Sequence, residues 1–407
     1  MKKLFYLLLL LFLTLNVADA QWVKLNSGTS QDLNSVYFTN PLTGYIVGDT
    51  GTILKTTNGG ALWITLTSGT LENLWSVYFT DTTTGYVVGS NGTILKTING
   101  GKDWAILNSG IPNSLFSVYF PNANSGYVVG TTGTILKTTD GGTTWISQVS
   151  GNAYDLFSVY FTSPDTGFVV GGVDWFQDSR STIRKTTNGG TNWTDVFDGY
   201  SFFWNIRLLS VYFPKVDLGY AVGENGTILK SADTGKTWIY QTSENSGLPR
   251  IWSSVYFTDP NNGFVVGQRG LIMQDSNGDS TWGWQTSWTS QFLNSVYFTD
   301  AHTGFVVGDS GIILKTTDGG NGVNEINDAS TLLKIYPNPT SNLVTIETSV
   351  MHSTSQLSIM NLKGQVVLTR QITRPKTLID ISSLASGFYV VRVTNDRTVE
   401  VGKIVKN

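Results

Sequence analysis

The sequence predicts an all-β protein: a seven-bladed β-propeller closed by its own N-terminal strand, followed by a small Ig-like β-sandwich. Three observations predict it. The phrase Ser-Val-Tyr-Phe occurs seven times, with its valine at Val36, Val77, Val118, Val159, Val211, Val255 and Val296. Each copy opens a unit of about 40 residues with three further short apolar runs, the pattern of a four-stranded propeller blade. Charged residues make up only 14% of the chain, cysteine is absent, and Gly, Thr, Ser and Asn separate the apolar runs, a composition that suits short strands joined by many turns.

The first element is residues 1–20. Lys2 and Lys3 precede an apolar run from Leu4 to Leu15, and Ala18-Asp19-Ala20 forms a small-x-small cleavage site. This pattern predicts a secretory signal peptide cut between Ala20 and Gln21. The run is shorter than the roughly 20 residues that cross a bilayer.

Residues 21–320 form the propeller. Each unit reads as strand a (SVYF), strand b (GYVVG), strand c (GTILKTT) and a Trp-led strand d, as Ser117 to Ile146 show in full. The c–d turn carries Asn58-Gly59, Asn99-Gly100, Asp140-Gly141 and Asn188-Gly189, pairs that supply the positive φ of a tight hairpin. Counting predicts how the ring closes. Trp63 to Val77 and Trp104 to Val118 each span 14 residues, and so does Trp22 to Val36, whereas no Trp follows Gly320 in the seventh copy. The N-terminal QWVKLNSG therefore supplies strand d of the last blade, and closure removes two pairing edges.

The stretch KTTDGGTTW, Lys137 to Trp145, resembles the Asp-box of sialidases and other secreted glycosidases. The repeats as a whole, from Trp22 to Gly320, are similar to the photosystem II assembly and stability factor family. The resemblance implies a propeller and leaves the ligand open, since one propeller hosts many functions. The box itself reads as a fold-building device: its Asp or Asn bonds turn amides, its Gly takes a conformation other residues resist, and its Trp packs between blades.

A linker, residues 321–331, leads to a segment of different texture at 332–407. Tyr336-Pro337-Asn338-Pro339, the run LASGFYVVRV and the Lys-containing last strand resemble the type A C-terminal sorting domain of type IX secretion in Bacteroidota. That resemblance implies the type IX machinery as a partner and passage across the outer membrane of a Gram-negative bacterium. Removal of the domain, then release or attachment to the cell surface, is implied as well.

Departures from the repeat locate candidate function, because loops carry specificity on a regular scaffold. Gly171 to Trp193 spans 22 residues where 15 is usual; Trp193 to Val211 spans 18 and Trp238 to Val255 spans 17 where 14 is usual. All three insertions fall in b–c or d–a loops on one face of blades 4 to 6. They bring Trp175, Phe176, Tyr200, Phe202, Phe203 and Trp204 together with Arg180 and Arg207, and Arg250 and Arg269 lie beside them. Aromatic faces with guanidinium groups suit sugar rings, anionic groups or a partner protein. The alternative is that longer loops fold on their own aromatics. The photosystem factor family carries an arginine-rich patch, and this chain has fewer arginines.

Other chemistries are weaker. A glycosidase needs two carboxylates about 5–9 Å apart; Asp174, Asp178, Asp198, Glu224 and Glu244 lie on the insertion face, and no spacing singles out a pair. His302 and His352 are the only histidines, too few for a histidine metal cluster in either domain. In blade 6 the box is broken, and Asp275, Asn277 and Asp279 resemble the first half of a calcium loop, without the Gly and distal Glu that complete one. A net charge of −3 argues against nucleic acid. The expected function is an exported binding module for a glycan or protein, with no cofactor required. A glycoside hydrolase and a surface structural protein are the rivals.

Overall fold

The computed structural model describes residues 22–175, 178–201, 206–241, 250–278, 281–320, 333–348, 355–361, 365–394 and 399–407. Two compact units divide the chain, Met1–Gly322 and Val323–Asn407. The signal-peptide residues, Ala20 and Gln21 included, lie outside the described residues.

The first unit holds seven four-stranded antiparallel sheets. Blade 1 shows the plan: strand a Leu33–Phe38, b Gly44–Gly48, c Ile53–Thr56 and d Ile64–Leu66. Strand b is buried along its whole length and strand d is exposed, so a polar–apolar gradient runs outward from the ring. The glycine that opens strand b has a packing reason. A Cβ on Gly44 would sit 2.5 Å from the Phe38 ring, and Gly85, Gly126, Gly167, Gly219, Gly263 and Gly304 meet the strand-a Phe of their own blades the same way.

Adjacent inner strands form two continuous circles of hydrogen bonds. The Ser35 hydroxyl accepts from Val77 N, and so on around to Ser295, which accepts from Val36 N, each at 3.2–3.3 Å. Seven tyrosines, Tyr37, Tyr78, Tyr119, Tyr160, Tyr212, Tyr256 and Tyr297, pack ring against ring around the axis, tilted 39–55° to one another with centroids 5.0–5.3 Å apart. Each donates its hydroxyl to the strand-a Phe carbonyl of the next blade, ending with Tyr297 to Phe38 at 2.9 Å. Burial pushes these hydroxyls up, Tyr297 to about 12, and the neighbouring phenols add to the rise of Tyr78, also to about 12, so the ring stays neutral.

The Asp-boxes tie one blade to the next. In blade 1 the Thr56 hydroxyl donates to Asn58 and accepts from Gly60 N, while Asn58 accepts from Leu62 N. Tyr45 and Lys55 of this blade both donate to the Gly100 carbonyl in the box of blade 2, at 2.8 and 2.7 Å. The box tryptophan packs on the strand-a Phe at near right angles, as Trp104 does on Phe79.

The closing strand is present. Val23–Leu25 pairs antiparallel with Ile312–Thr316, strand c of blade 7, and Trp22 is buried against Phe264 and Phe298. Its indole N–H donates to Gln285 Oε1 at 2.9 Å, and Gln285 in turn donates to Gln274. Gln274 stands where six other blades have lysine, as Lys55 and Lys315 illustrate. The irregularity of blade 6 thus builds the latch that receives the N-terminal strand. Six other box indoles, Trp63, Trp104, Trp145, Trp193, Trp238 and Trp282, have no such partner among the described residues.

The blade 4 insertions require a correction. Among the described residues they lengthen the sheet instead of forming loops. Strands b and c run Gly167–Trp175 and Asp178–Thr186, in register from Gly167 opposite Thr186 to Trp175 opposite Asp178, and strand d continues to Ser201. Pairing satisfies backbone groups that a loop of that length leaves to solvent.

The second unit is a sandwich of two antiparallel sheets. One contains Lys334–Tyr336, Leu343–Glu347 and Lys376–Asp380; the other is ordered Val366–Ile372, Ser355–Asn361, Gly387–Thr394 and Val399–Lys406. Val344, Ile346 and Ile379 of the first meet Leu357, Ile359, Val391 and Ile404 of the second in one core.

Candidate binding site

The start of every inner strand contains a β-bulge. In blade 1 Leu33 pairs with Gly48 and Ser35 with Val47, so Asn34 has no partner in the ladder. The same shift recurs after Leu74, Leu115, Leu156, Leu208, Trp252 and Leu293. A bulge frees one residue from the ladder and re-aims its side chain. The bulge residues are Asn34, Trp75, Phe116, Phe157, Leu209, Ser253 and Asn294. They sit on the innermost strands, at the end where the b–c and d–a connections lie, and ring the mouth of the channel.

The ring has two halves. Blades 2 to 4 contribute an aromatic arc: Trp75 meets Phe116 edge-on at 6.0 Å, and Phe116 stacks on Phe157 at 5.2 Å. All three side chains are half-buried. Blades 6, 7 and 1 contribute amides and a hydroxyl. Asn34 donates to Asp49 and to the Leu74 carbonyl, Asn294 to Asp309 and the Leu33 carbonyl, and Ser253 to the Leu293 carbonyl. Burial pushes the Asp309 carboxyl up against the pull of the Asn294 hydrogen bond, and the charges of Asp32 and Asp49 add to the rise. That side of the mouth is acidic.

Arg207 of blade 5 joins the aromatic arc. Its guanidinium lies 5.5 Å from the Phe157 ring centroid and holds Glu224 in a two-point contact, Nη2 to Oε1 at 2.6 Å and Nε to Oε2 at 3.1 Å. Glu224 is 4% exposed, so its charge is neutralised where it is buried.

The other sequence-predicted residues form separate groups. Arg180 and Tyr200 face each other on the extended sheet of blade 4, guanidinium 4.8 Å from the ring, with Asp198 at 3.7 Å. Arg250 lies 4.2 Å over Trp284. Arg269 occupies an exposed left-handed turn position in blade 6. The side chain of Trp175 and the residues Phe176, Phe202, Phe203 and Trp204 lie outside the described residues. Arg184, beside the insertion, is buried and grips Asp195 in a bidentate pair at 2.6 and 2.7 Å, a structural contact.

Of the carboxylates considered for hydrolysis, Glu224 is held by Arg207 and Asp198 is near Arg180; the side chains of Asp174 and Asp178, and Glu244, are outside the described residues. Asp275 of the broken box is buried and accepts from Asn277 N and Gly278 N, taking the turn-capping place of the usual threonine. Asp279 is outside the described residues, and no group of three His, Asp or Glu among those described could hold a metal.

Sequence reasoning missed Trp75, Phe116 and Phe157. Their signal is the most variable column of a repeated phrase, Leu-x-Ser-Val-Tyr-Phe, in which the leucine is also replaced once, by Trp252.

Comparison with known proteins agrees with this architecture. Residues 15–107, 63–150, 102–198, 200–276 and 245–344 match the family described as Photosynthesis system II assembly factor YCF48. The chain belongs to that family. Residues 334–407 match the Secretion system C-terminal sorting domain, so this YCF48-family propeller carries a type IX tail that marks it for export to the cell surface or medium. Similar solved structures include YCF48 bound to a D1 peptide, at 19% identity and TM-score 0.59, covering 73% of this chain and 95% of that one. A GH74 xyloglucanase from Xanthomonas campestris is 12% identical with TM-score 0.57, covering 94% and 67%. PorZ, a bacterial surface component of the type-IX secretion system of Porphyromonas gingivalis, is 13% identical with TM-score 0.54, covering 90% and 58%. At these identities the likeness shows the fold alone. No curated protein matches the chain in sequence.

Proposed function

We propose that this exported propeller is a glycan-binding module of the bacterial surface, held at the outer membrane or released there, and that the channel mouth is its binding site. The observation that carries the reading is the two-sided ring of bulge residues. Trp75, Phe116 and Phe157 offer aromatic faces to the C–H face of a sugar, and Asn34, Asn294, Asp49 and Asp309 offer polar groups to its hydroxyls from the opposite side. Binding sites combine an apolar wall with a few convergent polar groups in this way. Arg207 fixes the edge of the aromatic arc.

A glycan array probed with the full chain tests this, with Trp75→Ala and Arg207→Ala as the altered forms. The expected result is a defined glycan class whose binding falls at least tenfold in Trp75→Ala. Binding indifferent to both changes removes the mouth as the site. A second reading, a peptide partner, draws support from the D1 peptide named with the YCF48 structure. An empty array together with Trp75-dependent capture of an extended peptide favours it.

A further inference from the structure

Five d–a connections contain the turn Ser-x-x in which the serine hydroxyl donates to the carbonyl two residues on: Ser27, Ser68, Ser109, Ser150 and Ser287. The residue after the serine takes a left-handed conformation. In four copies it is glycine, Gly28, Gly69, Gly110 and Gly151, with φ of 74°, 79°, 76° and 96°. In blade 6 it is Trp288, with φ of 54°. A bulky side chain at positive φ is a backbone outlier, and such outliers cluster where function requires them.

Burial does not repay it. Trp288 is 74% exposed, the most exposed aromatic side chain among the described residues. It stands at the lip of a groove of about 310 Å³ between blades 6 and 7, lined also by Trp22, Lys24, Ser287, Ile312 and Leu314. Lys24 is exposed, and no ion-pair partner for it exists among the described residues. The groove therefore combines an indole face, an aliphatic floor and one cation without an ion-pair partner among the described residues, on the outer strands of blade 7.

We infer that this groove is a second carbohydrate subsite, specific for an acidic sugar. The Trp288 indole stacks on the C–H face of a uronate pyranose, and the Lys24 ammonium pairs with its carboxylate. The charge complementarity selects an acidic over a neutral ring, because a single ammonium at an apolar lip leaves a neutral sugar without a counterpart. Its volume matches the lower end of small-ligand sites, the size of a short saccharide segment. This site goes beyond the channel-mouth reading and stands or falls separately from it.

Isothermal titration of the full chain with trigalacturonate, and in parallel with neutral maltotriose, tests the inference. Trigalacturonate is expected to bind and maltotriose to bind at least tenfold more weakly. Trp288→Gly is expected to weaken trigalacturonate at least tenfold while raising Tm by about 2 °C, because it restores the glycine of the other turns. Lys24→Gln is expected to erase the preference for the acidic sugar. Absence of trigalacturonate binding, equal binding of the neutral sugar, or unchanged affinity in Trp288→Gly overturns the inference. A lower Tm in Trp288→Gly also overturns it, since the indole then serves the fold. Each of these results is read without reference to the mouth variants, so failure at the mouth and failure in the groove are distinguishable.

Discussion

Asp140 and Asp233 each occupy the capping position of an Asp-box, where Asn58, Asn99 and Asn188 stand in other blades. Hydrogen bonds from Thr144 hold the Asp140 carboxyl down at about 2, and those from Thr237 hold Asp233 well below the usual carboxylate range. A carboxyl depressed in the folded state adds stability above its unfolded value near 4, and that contribution is lost as pH falls through its folded value. The native chain should therefore lose melting temperature between about pH 4 and pH 2. Asp140→Asn with Asp233→Asn should flatten that loss without disturbing the fold, because asparagine already serves the same turn. Melting curves across that pH range check it; identical acid profiles for both chains contradict the role given to the carboxylates. The repeat made these turn residues legible in the sequence. The bulge residues at the opposite end of the blades were not: Trp75 and Phe116 look like ordinary apolar positions of a strand until the register reveals that they leave the ladder.

At the scale of the element, the closing strand is the clearest case of a feature read by counting, since the 14-residue spacing from Trp22 to Val36 repeats that of complete blades. Its latch was not readable. Gln274 and Gln285 flank the broken box without a pattern to mark them, and only the hydrogen bonds from Trp22 to Gln285 and from Gln285 to Gln274 give them a purpose. Trp22→Ala should cost about 3–5 kcal/mol as a large-to-small core change. Gln285→Leu should cost about 1–3 kcal/mol by leaving a buried indole N–H unpaired. Denaturant unfolding of both variants measures these costs, and a chain beginning at Asn34 should unfold well below either. An unchanged midpoint in Trp22→Ala would contradict closure by this strand. The extra length in blade 4 points to loops because spacing alone counts residues and does not show how they pair; continuous pairing from Gly167 to Trp175 makes them sheet.

Across the whole molecule, seven-fold repetition converts single weak contacts into closed circles. Tyr37 through Tyr297 each stack on two neighbours and donate to the next blade. Burial raises these phenols, Tyr78 and Tyr297 to about 12. A group whose folded value lies above its unfolded value near 10 contributes stability at lower pH, and that contribution is lost as pH rises through the folded value. Ultraviolet titration should find the ring tyrosines protonated to about pH 12 and ionising together with unfolding. Ionisation of these seven near pH 10 in a still folded chain would contradict the ring. The same circularity hides function, because a regular scaffold gives each blade equivalent positions, and specificity resides where the equivalents differ. The proposed glycan site is the aromatic half of the ring of bulge residues. Glycan-array binding of the intact chain against Trp75→Ala with Phe116→Ala tests it most directly: the account predicts that a defined glycan class binds the native chain and is lost at least tenfold in the double variant while Tm stays within a few degrees, and equal binding by the two chains would contradict it.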